Sequence, residues 1–379
     1  MYKFLINKWK KFMKIQRTLA IETSCDDTSI WIVNFDWNTF LVEELLAYSQ
    51  VKEHNIFGGV VPEIASRLHS EKIITVLSQI WRDKIKDINS ISVTTEPGLP
   101  WSLVVGKTVA SLLWEYFDKP IIEVNHILWH IFALFLERNI NEIPFPMALL
   151  TASGWHNNLY IVSKHDKDKW RENNKLYCWD YEIEQIWQTL DDAAGECFDK
   201  VSRMLGWPYP WWVWISQQAK LGKANKEFEL NRVRLSKQEF NFSFSGVKSQ
   251  INHLINKRQV ESWENKEKQI FSDSEIKDIA WEFQESVVEV LGKKLVRAAI
   301  KYWAKSVWLS GWVSANDRLQ EYILELLDNK QWIENQKQNI LNEENSVNLE
   351  NVKLFVPTKK VYCTDNAAMI WVAWILSQT

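Results

Sequence analysis

Hydrophobic and polar positions alternate in blocks whose period changes along the chain. Residues 18–34, TLAIETSCDDTSIWIVN, read as strand, polar turn, strand. Residues 63–82 carry Ile64, Leu68, Ile73, Ile74, Leu77 and Ile80 at helical spacing. Residues 90–95 form a short β-type run, followed by Pro97-Gly98-Leu99-Pro100 and an apolar helix over 102–117. PIIEVN at 120–125 predicts another strand, leading into a helix over 126–137. This alternation of strands and helices argues for α/β layers.

The pattern then restarts. Residues 147–163, MALLTASGWHNNLYIVS, again read as strand, polar turn, strand, about 129 positions after the first such unit. That is the spacing of a duplicated domain. Helices follow over 192–205 and 276–304, then a strand at 306–310, a turn, and a helix starting near Ser314. Residues 222–240 and 257–275 read as polar surface. The predicted organisation is a basic extension over 1–17, a first lobe over 18–140 and a second over 141–327. Residues 328–352, rich in Asn, Gln, Glu and Lys, form a polar surface insertion. The last segment, 353–379, carries a strand, a CTDN turn and a helix, and packs back on the first lobe.

Composition sharpens this only in places. Hydrophobic residues at 46% and charged residues at 25% exclude disorder over most of the chain. With a net charge of −3, any basic nucleic-acid patch has to be local. Cys25, Cys178, Cys197 and Cys363 are scattered without a CxxC pair, which fits a reducing cytoplasm better than a secreted framework. The longest apolar stretches carry Lys107, His126 and His130, so no membrane span is predicted. Lys3, Lys8, Lys10, Lys11, Lys14 and Arg17 read as a solvated basic tail, with an RNA- or membrane-touching arm as the alternative.

One count is abnormal: 23 Trp stand against only 11 Gly. Trp155 follows Ser153-Gly154, Trp312 follows Ser310-Gly311, and Trp211, Trp212 and Trp214 crowd a turn after Pro210. Such turns favour glycine, because a Cβ is penalised at positive φ. Many of these tryptophans therefore read as glycine codons translated with the wrong code, UGA being glycine in some lineages.

Four features carry chemistry. His126 and His130, at i and i+4, share one helix face and can share a metal. A bare HxxxH is weak, and without a glutamate after the first histidine it lacks the general base of a zinc protease. A third ligand is needed, and Asp365 is the best candidate; two imidazoles and a carboxylate suit Fe(II) as well as zinc. Turns at Glu22–Thr28, Thr151–His156, Tyr209–Trp214 and Ser310–Asn316 are candidate anion cradles. In Asp191-Asp192-Ala193-Ala194-Gly195-Glu196-Cys197-Phe198-Asp199-Lys200 the first two acids read as helix caps, while Asp199 could accept from a ribose. Asn241–Lys248 reads as a strand and turn with phenylalanine in the core.

Together these segments closely resemble the tRNA adenosine threonylcarbamoyltransferase family. The stretches that match are IETSCDDTS, GGVVPEIASRLH, EPGLPWSLVVGKT, VNHILWH, SGWH, DDAAGECFDK, YPWW, FSFSGVKS, SGWVSAN and CTDNAAM. Trp101, Trp129, Trp155, Trp211, Trp212 and Trp312 stand where the family has glycine, and Glu96 departs separately. The resemblance implies an actin-like, sugar-kinase-like α/β fold of two RNase-H-like lobes with a cleft between them. It implies transfer of threonylcarbamoyl from threonylcarbamoyl-AMP to the exocyclic amine of the adenosine beside the anticodon, in tRNAs reading codons that begin with A. It also implies one Fe(II) per subunit on His126, His130 and Asp365, with zinc sharing these ligands. Thr151, Ala152, Ser153, Gly154, Trp155, Asp199, Trp212 and Asn316 would contact the adenylate. A paralogous actin-fold subunit and a small ATPase are the implied partners. Asp26 is a candidate proton acceptor, and Lys248 a candidate RNA contact. A sugar-kinase-like ATPase of the same fold and a metalloprotease are the competing readings.

Overall fold

A computed structural model describes residues 16–363 and 367, except 37, 58, 81, 155–156, 166–175, 179–180, 190, 208–210, 233–242, 266–269 and 342–351. The side chains of 129, 176–178, 211–212, 263–265 and 341 are also outside it. The basic extension up to residue 15, Trp155 and Asp365 therefore lie outside the described residues, as do the side chains of Trp129, Trp211 and Trp212.

Two sheets form around the repeated hairpins. The first has β1 (Gln16–Glu22), β2 (Asp27–Phe35), β3 (Phe40–Ser49), β4 (Ser90–Glu96) and β5 (Ile121–Asn125). Its order is β3-β2-β1-β4-β5, antiparallel on the hairpin side and parallel from β1 through β4 to β5. The second has β6 (Met147–Ala152), β7 (Asn157–Lys164), β8 (Leu176–Cys178), β9 (Tyr181–Gln188), β10 (Ser306–Ser310) and β11 (Lys353–Phe355). Its order is β11-β10-β6-β7-β9-β8. Read from β9 to β11 the second sheet repeats the first strand for strand, with the same antiparallel and parallel pairings. β8 is an added edge. Duplication inferred from spacing is thus a duplication of topology.

Hydrophobicity explains each strand's place. The central strand β1 buries Leu19, Ala20 and Ile21 completely, as a strand covered on both faces must. The edge strand β3 instead alternates half-buried and exposed positions after the buried Phe40. Against the outer face of the first sheet pack α1 (Pro62–Ser78) and α2 (Pro100–Phe117), both opened by proline in the first turn. The second lobe is built on α4 (Ala194–Met204), α5 (Trp211–Ala219), α6 (Ser245–Asn265), α7 (Asp273–Lys301) and α8 (Asp317–Asp328), with α3 (His126–Phe132) lying between the lobes. A capping box starts α7: Ser272 accepts from the Glu275 amide while the Glu275 carboxylate accepts from the Ser272 amide. A third core joins the sheets, with Trp31 and Ala20 on one side, Leu149, Tyr160 and Trp308 on the other, and Phe132 and Phe135 between.

Three expectations change. The strand Lys353–Phe355 joins the second sheet beside β10, so the terminal segment does not belong wholly to the first lobe. It reaches that side later, where Tyr362 packs near Trp31 at 5.8 Å and donates to Glu137 at 2.8 Å. The polar insertion begins as a helix, α9 (Lys330–Leu341), which buries Ile333 against α7. The Asn241–Lys248 segment enters a helix at Ser245 rather than a strand, although Phe244 is in the core as expected.

The tryptophans separate by backbone geometry. Helix α4 ends with Gly206 at φ +83°, the Gly206 amide bonding the Arg203 carbonyl and the Trp207 amide the Ser202 carbonyl. Helix α7 ends in the same double-bonded cap, with Trp303 to Ile300 and Ala304 to Ala299, but the residue at φ +52° is tryptophan. Trp303 is 58% exposed, so packing does not offset the left-handed strain. Trp308 is the opposite case: fully buried and stacked on Phe355 at 4.3 Å. Trp303→Gly is therefore expected to stabilise the fold by about 1 kcal/mol, and Trp308→Gly to destabilise it by at least about 3 kcal/mol. Denaturant melts of the two variants measure both.

Candidate functional site

The imidazole pair stands at the start of α3. Asn125, the last residue of β5, accepts from the amides of Ile127 at 2.9 Å and Leu128 at 3.4 Å, and so caps the helix. One turn on, the rings of His126 and His130 meet edge to face with centroids 4.8 Å apart. His130 is buried, and His126 Nδ1 lies 3.0 Å from Ser24 Oγ. Among the described residues no three His, Cys, Asp or Glu side chains are grouped to hold an ion. Asp365, the expected third ligand, is outside them. The two nitrogen donors themselves fit a borderline divalent ion: they are close, on one face and largely dry.

The second half of the site lies at the carboxyl ends of two parallel strands, where α/β sheets open their ligand crevices. Thr151, at the end of β6, is in register with Ser310 at the end of β10. β6 runs through Ala152 into Ser153-Gly154, and the Gly195 amide in the first turn of α4 donates to the Ser153 carbonyl at 3.2 Å. β10 runs into Gly311, whose φ of +82° would put any Cβ 2.3 Å from the Ala152 carbonyl oxygen. Only glycine allows the two turns to sit this close. The Ser310 hydroxyl donates to the carbonyl of His130, tying this crevice to the imidazole helix.

A cavity of about 370 Å³ opens beside these turns, lined by Ser216, Gln284, Trp312, Asn316, Arg318 and Lys360 among others. Asn316 caps α8, its Oδ1 accepting from Leu319 at 3.1 Å. Its Nδ2 donates to Gln284 at 2.9 Å and Ser216 at 3.2 Å. Asn316 is thus held as part of the cavity wall. Arg318 is gripped by Glu285 at 2.7 and 3.0 Å, which raises its pKa. The indole of Trp312 presses on α4: a Cβ added at Gly195 would lie 2.3 Å from its Cζ2. The tryptophan fills space that a glycine at 312 would leave to a ligand. Asp199 is half-buried on α4, a helix that packs on the Trp312–Ala315 turn.

Several expected roles move. Asp191 and Asp192 do not cap α4; Ala193 occupies that position without a side-chain bond. Asp191 instead accepts from the Ser243 and Ser245 hydroxyls at 2.5 and 2.6 Å and from the Phe244 amide at 2.9 Å. Asp192 bridges Lys200 and Lys248, so Lys248 is engaged within the protein. The Glu22–Thr28 turn is no open anion cradle, because the Ser24 amide already binds the Glu22 carboxylate. The described part of Tyr209–Trp214 is the first turn of α5. Asp26 lies in the first turn, its carbonyl accepting from Gln50 at 3.1 Å. Cys197 is no nucleophile at neutral pH, since burial pushes its thiol up to about 12. Ser216 and Gln284 were not singled out as site residues, and Ser24 and Ser310 only as members of candidate anion-binding turns; their side-chain partners across the fold carry no periodic signal.

The fold is that of a duplicated, two-lobed α/β protein of the actin type. The comparisons with known proteins agree. The family model for tRNA N6-adenosine threonylcarbamoyltransferase matches residues 42–372. Proteins of that name from Syntrophomonas wolfei and Mesoplasma florum are 36% and 35% identical over 93% of this chain, covering 89% and 96% of their own lengths. The chain belongs to the tRNA N6-adenosine threonylcarbamoyltransferase family and is a transferase of tRNA modification. A crystal structure of full-length HypF in its phosphate- and nucleotide-bound form shares the fold, with a TM-score of 0.51 at 12% identity. It covers 95% of this chain, which spans 46% of that one.

Asp191 and Asp192 give a pH test. Burial opposes their charge, but the serine hydroxyls and Phe244 amide at Asp191, and the two ammonium groups at Asp192, outweigh it and lower both pKa values. A carboxylate lowered in the fold contributes stability above its unfolded pKa and loses it as pH falls through the folded one. The Asp191→Asn/Asp192→Asn pair should therefore lose stability at pH 7 and show a flatter decline of Tm toward about pH 3. Calorimetry across that range reads the difference in slope.

Proposed function

We propose that this chain transfers the threonylcarbamoyl group from threonylcarbamoyl-AMP to the exocyclic amine of the adenosine beside the anticodon, in tRNAs that read codons beginning with A. One observation carries the reading: the Ser310–His130 bond ties the imidazole helix to the ends of two parallel strands, where the Ser153-Gly154 turn meets a Gly311 turn that only glycine can make. The donor is a mixed anhydride of a carbamic acid and AMP, and the site has separate places suited to its two ends. The cavity bounded by Ser216, Gln284 and Asn316 supports a nucleotide. The Ser153-Gly154 and Gly311–Asn316 turns, with the first turn of α4, support its phosphate through backbone N–H groups and the helix dipole. We assign Thr151, Ala152 and Asp199 to the rim of the same pocket, Trp155 and Trp212 lying outside what the structure describes.

His126, His130 and Asp365 would hold Fe(II), or zinc with the same ligands, which when bound supplies Lewis acidity and a template for donor oxygens. The chain's own residues position the donor so that the adenosine amine reaches the carbamoyl carbon, the C–O bond to phosphate breaks and AMP leaves. Turn amides stabilise the charge that grows on the leaving phosphate. The amine loses its proton to a base, and Asp26 is our candidate. A positioned amine needs no covalent enzyme intermediate, in keeping with the raised Cys197 thiol.

The reading places the protein with tRNA in the cytoplasm; no helix among the described residues is long and apolar enough to cross a membrane. A paralogous actin-fold subunit and a small ATPase complete the reaction. A protein partner is supported by the outward stripe of α2, where Trp101, Val104 and Leu112 are exposed on one face. We further propose glycine at 129, 155, 211, 212 and 312 in the native protein, the crowding of Gly195 by Trp312 being the support.

The test is a transfer assay with synthetic threonylcarbamoyl-AMP, tRNA and both partners, on the chain with glycine and with tryptophan at those five positions. Activity is expected only for the glycine form, and His126→Ala or His130→Ala in that form should lower it by about 100-fold or more. Transfer by neither form would contradict the assignment. Peptide mass spectrometry of the native protein decides the residues directly.

A further inference from the structure

The first hairpin turn is held from several sides, and it meets His126 Nδ1 through Ser24 and, at 3.9 Å, through the Glu22 carboxylate. The Ser24 hydroxyl oxygen lies 3.0 Å from His126 Nδ1. Its amide is bound by the Glu22 carboxylate, and its carbonyl accepts from the Leu99 amide at 2.7 Å. Glu22 is 1% exposed and takes a second bond from the Thr94 hydroxyl. The next carbonyl, that of Cys25, lies 3.0 Å from His69 Nε2, and His69 Nδ1 lies 2.7 Å from the Thr28 hydroxyl. His69 is completely buried on α1.

These contacts settle the state of His69. A carbonyl can only accept, so Nε2 carries a proton. Burial disfavours the charged ring and lowers its pKa, which leaves Nδ1 as an acceptor for the Thr28 O–H. His69 is a neutral bridge between the turn, at Cys25, and the start of β2, at Thr28.

We propose that the Glu22–Thr28 turn is the orienting shell of His126, with Ser24 as the contact and His69 as its buried anchor. This rests on the metal reading above. An imidazole that gives its Nε2 lone pair to an ion carries its proton on Nδ1. Ser24 Oγ then accepts that proton's hydrogen bond, which fixes both tautomer and ring angle. His69 acts at one remove: it fixes the Cys25 carbonyl, and so the path of the backbone that presents Ser24. Both are positioning residues.

The experiment is an anaerobic Co(II) titration of the full chain, followed by visible absorption, with Ser24→Ala, His69→Ala and His69→Gln beside the unsubstituted protein. Ser24→Ala and His69→Ala are expected to weaken Co(II) binding by about 10- to 100-fold. His69→Gln, whose amide N–H can reach the Cys25 carbonyl, should recover most of the loss. In metal-free protein, long-range proton–nitrogen correlation of the histidine rings should show His126 as the Nδ1–H tautomer, and Ser24→Ala should turn it into a mixture. If His69→Ala does not fold, Ser24→Ala decides alone, since it removes one hydroxyl. Unchanged affinity and unchanged tautomer in Ser24→Ala overturn the proposal while leaving the metal reading standing. No Co(II) uptake by the unsubstituted chain overturns both.

Discussion

A single hydrogen bond between lobes organises the crevice. Ser310 closes β10 and donates to the carbonyl of His130 at the end of the imidazole turn. Without that junction the first lobe would present two histidines on a short helix, and the second would present glycine turns at the ends of parallel strands. With it, the imidazole helix is tied to the end of β10, where the Gly311 turn begins. The core that joins the sheets makes the junction rigid, because Trp31, Phe132, Tyr160 and Trp308 are fully or almost fully buried along the same seam. Close packing of this kind transmits position with little slack.

The rest of the site is built from constraints that are local and steric. Gly311 must be glycine because a Cβ would enter the Ala152 carbonyl. Asn316 must present its amide to Gln284 and Ser216 because its Oδ1 is committed to the cap of α8. The acidic pair Asp191 and Asp192 locks α4 to the segment after residue 242, and so holds the helix whose first turn meets Ser153. These bonds spend charge inside the protein and leave the turns' backbone groups as the polar surface toward a ligand.

Much of this was legible in the residues. The repeated strand–turn–strand units at 18–34 and 147–163 predicted the duplicated lobes, because hydrophobic alternation and polar turns report directly on strands. His126 and His130 were legible from i, i+4 spacing alone. The Ser153-Gly154 and Ser310-Gly311 turns stood out because glycine is scarce in this chain. What could not be read were pairings across the fold. Asp191 and Asp192 looked like helix caps by sequence position, yet beside the nearby Lys200 their partners lie more than fifty residues away. Ser24, Gln284 and Ser310 gain their roles only from tertiary contact. The segment after 328 looked like surface because its composition is polar, and its few apolar residues, Trp332, Ile333 and Ile340, mark the buried side. Trp303 was invisible as a misfit until its φ was known, since nothing in KYWAKS announces a left-handed cap.

The proposed function turns on one claim: that an ion-holding imidazole pair and an anion-holding pair of turns share a single crevice. The most direct measurement is anomalous diffraction at the metal edge from crystals of the metal-loaded protein with AMP. The account predicts one metal peak shared by His126 and His130, with the AMP phosphate against the Ser153-Gly154 and Gly311–Asn316 turns of the same crevice. A metal peak away from these imidazoles, or a nucleotide bound elsewhere on the molecule, would contradict it.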